Sequence, residues 1–136
     1  MTLHRFSILI VLAAIVALLA WPRISLGADK PAVYTAAQAT QGATVYSKSC
    51  AACHGANLQG GAAPALTGAA FMHGWQGKSA DDLYYIVSHD MPLGSPGSLK
   101  PDESIAILAF MLAKYGYPAG SVPLDPSKLK AITIAP

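Results

Sequence analysis

Apolar residues are spread unevenly along the chain, and their spacing changes from segment to segment. Phe6 to Trp21 (FSILIVLAAIVALLAW) is apolar throughout, carries no charge and, besides the Trp N–H, has only Ser7 as a polar side chain. Thr35 to about Ala52 reads as a helix, and Thr35 and Gln38 have capping-box spacing. Gly55 to Gly77 is rich in Gly and Ala without a clear period, so it reads as a long loop region of the kind that usually wraps a functional site. A second helix is predicted from Ser79 to near Asp90, with Asp82 three residues after its cap and apolar residues at Leu83, Ile86 and Val87. Met91 to Lys100 (MPLGSPGSLK) is a turn-rich loop.

Pro101, Asp102 and Glu103 open a third helix, since proline suits the first helical position and acids suit the positive helix start. Lys100 stands at its N-cap, where Ser or Thr would serve better. Ile105, Leu108, Ala109 and Leu112 form one apolar stripe, and Gly116 and Pro118 stop the helix. Residues 117–136 show little helical signal, and only Leu129 to Ile134 hints at a strand. There are no internal repeats. The expected fold class is mostly α, with three or more helices and long loops.

The chain has 136 residues, 53% apolar and 12% charged, which allows one domain. His4 and Arg5 precede the first apolar run, and Ser25-Leu26-Gly27 follows it. This is the three-part layout of a secretory signal peptide. The 16 residues of the run reach about 24 Å as a helix, short of the ~30 Å hydrocarbon core. We expect cleavage near Gly27 or Ala28. The competing reading keeps residues 1–27 as an N-terminal anchor, with Pro22 and Arg23 at the interface. The remaining divisions are a loose leader (28–35), a central domain (36–116) and a C-terminal extension (117–136).

The net charge of +2 is carried by Arg5 and Arg23; past residue 27, seven lysines face seven acids. No basic field is present to bind nucleic acid.

The chemistry lies in Cys50-Ala51-Ala52-Cys53-His54, which contains both cysteines of the chain. A structural zinc site needs four ligands, and this cluster offers three, with His73 and His89 isolated. A thioredoxin-like pair calls for a βαβ context. A plain disulfide leaves His54 without a role. The remaining reading is covalent haem attachment. Thiols at i and i+3 share one face of a helical turn, so both reach the two vinyl groups of one porphyrin while His54 turns toward the iron.

With these residues in place the chain resembles the class I c-type cytochromes over about residues 36–116. Gly42 and Tyr46 match the family's glycine and aromatic on the first helix, and Ile107 and Phe110 their partners on the last. Pro64-Ala65-Leu66-Thr67-Gly68 resembles the family's P-x-L-x-G segment, whose proline carbonyl accepts a hydrogen bond from the proximal histidine. Met91-Pro92 resembles the family's M-P, whose methionine supplies the sixth iron ligand. The resemblance implies a cytochrome c fold around one covalently bound haem c, with His54 and Met91 as metal ligands.

Met91 follows a helix and precedes a stiffening proline, which suits a ligand reaching in from the far side. Met111 falls within the last helix and reads as core, and Met72 lies in a loop. His89 sits at a helix end, and His73 is placed to meet a propionate or solvent. The resemblance also suggests Trp75 as a haem-binding residue, through a propionate, with Tyr84 and Tyr85 as further candidates.

A six-coordinate haem passes one electron and has no open position for substrate, and thioether ligation raises its potential. The expectation is an electron carrier, not an enzyme, in the bacterial periplasm, attached to the membrane only if the N-terminal segment is retained. A periplasmic dehydrogenase would be its donor and a cytochrome or terminal oxidase its acceptor. One alternative is a haem-bearing, electron-accepting subunit of a periplasmic quinoprotein or flavoprotein dehydrogenase complex, with the Leu129 to Ile134 tail as a docking strip. A more distant alternative is a ligand-binding or peroxidatic haem protein.

Overall fold

The structure, a computed structural model, describes residues 30–136. The signal-peptide or anchor reading of residues 1–27 lies outside the described residues. Among the described residues, no helix is long and apolar enough to cross a membrane.

Two 14-residue helices form the frame. Helix α1 runs Ala36–Ser49, α2 is the short turn Ala51–His54, α3 is Gly68–Trp75, α4 is Ala80–Tyr85 and α5 is Pro101–Lys114. A π-helical turn, Ile86–Asp90, continues α4. Two-residue strands β1 (Tyr34–Thr35) and β2 (Ala119–Gly120) pair in parallel, Tyr34 with Ala119 and Thr35 with Gly120.

α1 starts where its capping box places it. Thr35 Oγ1 accepts from Gln38 N–H at 3.3 Å, and Gln38 Oε1 accepts from Thr35 N–H at 3.1 Å. The same Gln38 amide reaches across the molecule, accepting from Leu124 N–H at 2.7 Å and donating to Leu124 carbonyl at 3.0 Å. α1 crosses α5 with backbones nearly touching at Gly42, where a Cβ would lie 1.8 Å from the Ala106 carbonyl oxygen. Tyr46 then stacks at a tilt on Phe110, ring centroids 5.2 Å apart. These are the pairings the family resemblance implies.

Ser104 to Ala109, Met111 and Leu112 are all buried, so α5 is the central helix of the core. Glu103 accepts from Lys100 N–H at 2.9 Å, which supplies half a capping box despite the unsuited lysine. α5 ends as expected: Gly116, at φ +83°, takes the left-handed position after the last turn.

Three expectations need correction. The Gly55–Gly77 segment is not all loop, because Gly68–Trp75 is helical. Its glycines weaken local propensity, but Phe71 and Met72 bury against the core, and Phe71 packs on Tyr115 with centroids 5.5 Å apart. Packing outweighs propensity here. The leader is not loose at its end: Tyr34 is buried and its hydroxyl donates to the Tyr117 carbonyl at 2.6 Å, while Lys30 donates to the Tyr115 carbonyl. Leu129 to Ile134 is not a strand. Pro126–Ala131 is a 3₁₀-helix capped by Asp125, and only Thr133 bridges to Ser79.

Residues 117–136 wrap the core. Leu124, Leu129, Ile132 and Ile134 are buried, so the apolar side chains a docking strip would offer to a partner are turned inward.

Candidate functional site

The site is built around the end of α1. The helix breaks at Cys50, whose φ and ψ of −126° and −35° leave the helical region, and a fresh turn begins. Cys53 and His54 both donate their N–H to the Cys50 carbonyl, at 3.1 and 3.0 Å. Cys50, Cys53 and His54 therefore share one turn, and all three line one apolar cavity of about 350 Å³. Both cysteines are free thiols.

His54 Nδ1 lies 2.8 Å from the Pro64 carbonyl oxygen. A carbonyl can only accept, so Nδ1 carries the proton and Nε2 keeps a free lone pair. The Pro64 carbonyl is itself placed by its neighbours. Leu66 N–H donates to the carbonyl of the fully buried Leu58 at 2.8 Å, and Tyr115 hydroxyl donates to the Leu66 carbonyl at 2.9 Å.

Met91 lines the same cavity, as do Pro64, Pro92, Leu93 and Gly94. It follows the π-helical turn, and its N–H donates to the Ile86 carbonyl at 3.1 Å. The loop after it folds back on itself: Ser95 N–H donates to the Pro92 carbonyl at 2.8 Å, and Gly97 N–H to the Met91 carbonyl at 3.3 Å. The walls are side chains of α4 and its continuation (Leu83, Ile86, Val87) and of α5 (Ile107, Met111), closed by Leu99 and Tyr46. The donor set and this apolar enclosure fit a flat, largely apolar metallo-macrocycle: two thiols, one imidazole nitrogen and one thioether face a space without a charged side chain.

The family model of cytochrome c oxidase, cbb3-type, subunit III matches residues 37–111. The chain belongs to this family of c-type cytochrome domains. Membership brings one covalently bound c-type haem and electron transfer by it. The fold is also that of a chain in the crystal structure of the sulfane dehydrogenase SoxCD from Paracoccus pantotrophus, with a TM-score of 0.58 and 22% sequence identity. That likeness covers 77% of this chain, which spans 55% of the length of the SoxCD chain. No curated protein matches the sequence.

The other readings of the cysteines in this cytochrome lose ground. Among the described residues no group of three or more His, Cys, Asp or Glu side chains is placed to hold a metal ion. Burial, with Cys53 beside it, pushes the Cys50 thiol up to about 11.

Trp75 is not brought to the cavity. Its ring stacks on Phe71 at 5.7 Å with Lys78 Nζ 4.8 Å from its centroid, and it borders a separate recess that shares Ile86 with the cavity wall. Tyr85 is exposed and stacks on His89 at 4.4 Å, and neither it nor Tyr84 lines the cavity. His89 Nδ1 lies 2.8 Å from Ser88 Oγ and 3.1 Å from the Tyr85 carbonyl. His73 is exposed on α3. Met111 is core, as expected, and also forms cavity wall. The wall residues Leu83, Val87, Ile107 and Leu99 were missed as site residues. Helical periodicity marks apolar faces but not which of them border a cofactor.

Tyr46 links frame and site. Its hydroxyl donates to the Gly55 carbonyl at 2.8 Å, just past His54, and burial holds it protonated, pushing it up to about 12. Tyr46→Phe should cost about 1 kcal/mol, the net worth of one such bond, and lower the melting temperature by ~5 °C in a domain of this size. A thermal melt of the haem-loaded variant, unchanged from the parent, would contradict that role.

Proposed function

We propose that this cytochrome is a one-electron carrier of the bacterial periplasm, with His54 and Met91 as the two axial ligands of a haem tied to Cys50 and Cys53. The observation that carries the reading is a single one: these four side chains meet in one apolar cavity, with His54 Nδ1 held by the Pro64 carbonyl. The bound iron supplies the one-electron change.

The chain's own residues do the rest. Cys50 and Cys53 anchor the group from one helical turn. The Pro64 carbonyl orients the imidazole and makes its free nitrogen a better donor. Met91 offers a soft sulfur that favours the reduced metal, and the apolar walls keep water away, which acts in the same direction. Leu93, 81% exposed beside the cavity mouth, leaves an uncharged edge where a partner can approach. Such contacts are small and transient.

The fold likeness to a chain of a sulfane dehydrogenase and the family named for an oxidase subunit support opposite ends of one electron path. A periplasmic dehydrogenase is the proposed donor, and a cytochrome or terminal oxidase the proposed acceptor. The alternative, a fixed haem-bearing subunit of a dehydrogenase complex, is supported by that same dehydrogenase likeness. Stable co-purification with a dehydrogenase would favour the fixed subunit, and a lone monomer the mobile carrier. The leading apolar run of residues 6–21 supports export through the inner membrane.

Met91→Ala tests the assignment. The variant should keep its covalent haem, lower the midpoint potential by at least about 60 mV, a tenfold change for a one-electron couple, and bind CO when reduced. An unchanged potential with no CO binding would remove Met91 from the iron.

A further inference from the structure

We infer that residues 132–135, in the C-terminal extension, are a positioning strap for Met91, holding it through the helix that leads to it. The inference rests on the reading of Met91 as an axial ligand.

The strap lies antiparallel to the segment that starts α4. Gly77 N–H donates to the Ile134 carbonyl at 3.0 Å, Ile134 N–H to the Lys78 carbonyl at 2.8 Å, and Ala80 N–H to the Ile132 carbonyl at 2.8 Å. Ala80 is the first residue of α4, so its amide is one of the groups a helix start leaves without an internal partner. The strap supplies that partner. Ser79 completes the start by accepting from Asp82 N–H at 3.2 Å. The opposite edge of the strap is tied to Tyr117, just past the end of α5. Tyr117 hydroxyl donates to the Thr133 carbonyl and accepts from Ala135 N–H at 3.1 Å. Ile134 is fully buried beneath it.

From Ala80 to Asp90 the chain is a continuously helical rod, α4 running directly into the π-helical turn. Met91 is the next residue, and its amide is bonded to the Ile86 carbonyl inside that rod. A rigid rod fixed at its start delivers Met91 to a fixed place, and one released at its start lets Met91 leave. No backbone hydrogen bond of the loop after Met91 replaces this hold, since those bonds stay within residues 91–98; the rod's other support is the burial of Leu83 and Val87 in the core, which the strap variants leave in place.

Two variants of the full haem protein test this. One ends the chain after Lys130, which removes the strap. The other is Tyr117→Phe, which keeps the ring and deletes both hydroxyl bonds. The readouts are the far-red charge-transfer band of methionine–ferric ligation and the rate of CO binding to the reduced form. The shortened chain should weaken the band and bind CO at least ~10-fold faster than the parent, and Tyr117→Phe should do so several-fold. A lowered melting temperature with band and CO rate within twofold of the parent would make the strap structural only and overturn the inference. If the shortened chain is not recovered folded, Tyr117→Phe decides by the same criterion. Met91→Ala run alongside separates the two claims. If it keeps the band and resists CO, the ligand assignment fails and the strap's role falls with it. If it loses the band while both strap variants match the parent, the strap alone fails.

Discussion

Gly42→Val will leave little or no folded, haem-loaded protein. The Cβ that even alanine adds at this position would meet the Ala106 carbonyl oxygen at 1.8 Å and its carbon at 2.4 Å, and both are backbone atoms of the central helix. They cannot swing aside as a flexible side chain would. α1 and α5 must move apart by more than 1 Å, which opens the Tyr46–Phe110 contact and shifts Ile107, a wall of the cavity. Overpacking alone costs ~1–3 kcal/mol, occasionally more. The loosened core adds to it, in a domain whose whole stability is of order 5–15 kcal/mol. Gly42→Ala should show the same defect more mildly, as a melting temperature lowered by at least ~10 °C if the loss is ~2 kcal/mol. A valine variant that melts within a few degrees of the parent would mean the helices can part freely.

Replacing both thiols, Cys50→Ala with Cys53→Ala, is expected to abolish covalent haem and with it most of the fold. The cavity is central and apolar, and without its occupant it is a hole in the core. At ~24 cal/mol per Å³ a dry void of about 350 Å³ costs up to about 8 kcal/mol. That is comparable with the total stability of a small domain. The partly open mouth makes this an upper figure. Haem staining after denaturing electrophoresis should disappear, and circular dichroism should lose its cooperative melt. Haem that stays on the denatured double variant would place the attachment elsewhere.

What was legible in the sequence was local. The Cys50-x-x-Cys53-His54 spacing is chemistry written in five residues, and it lines one cavity. The capping boxes at Thr35/Gln38 and Ser79/Asp82 begin their helices as expected, because each signal lies within four consecutive residues. Asp82 shows the box at work: the Ser79 hydroxyl and amide hold its carboxyl below the usual range. Pro64 and Met91, reached through family resemblance, also arrive at the cavity.

What was not legible depends on contacts between distant parts of the chain. α3 forms because Phe71 finds Tyr115, 44 residues later, and nothing within its own eight residues announces that. The pairing of Tyr34 with Ala119 and of Ser79 with Thr133 is equally remote. Gln38 reads as a capping residue and is also a clasp for Leu124. Trp75 illustrates the converse. The resemblance suggested Trp75 as a propionate partner; its side chain does not line the cavity, and its ring packs on Phe71 with Lys78 beside it, contacts that its sequence neighbourhood does not announce.

The central claim is that methionine sulfur closes the site, so that the protein carries electrons and does little else. The direct measurement is a visible spectrum of the purified haem protein, first air-oxidised, then reduced with dithionite, then exposed to CO. The account predicts the weak far-red charge-transfer band in the oxidised form and no spectral shift with CO after reduction. Absence of that band together with ready CO binding would contradict it, and would leave an open iron suited to ligand binding or peroxide chemistry.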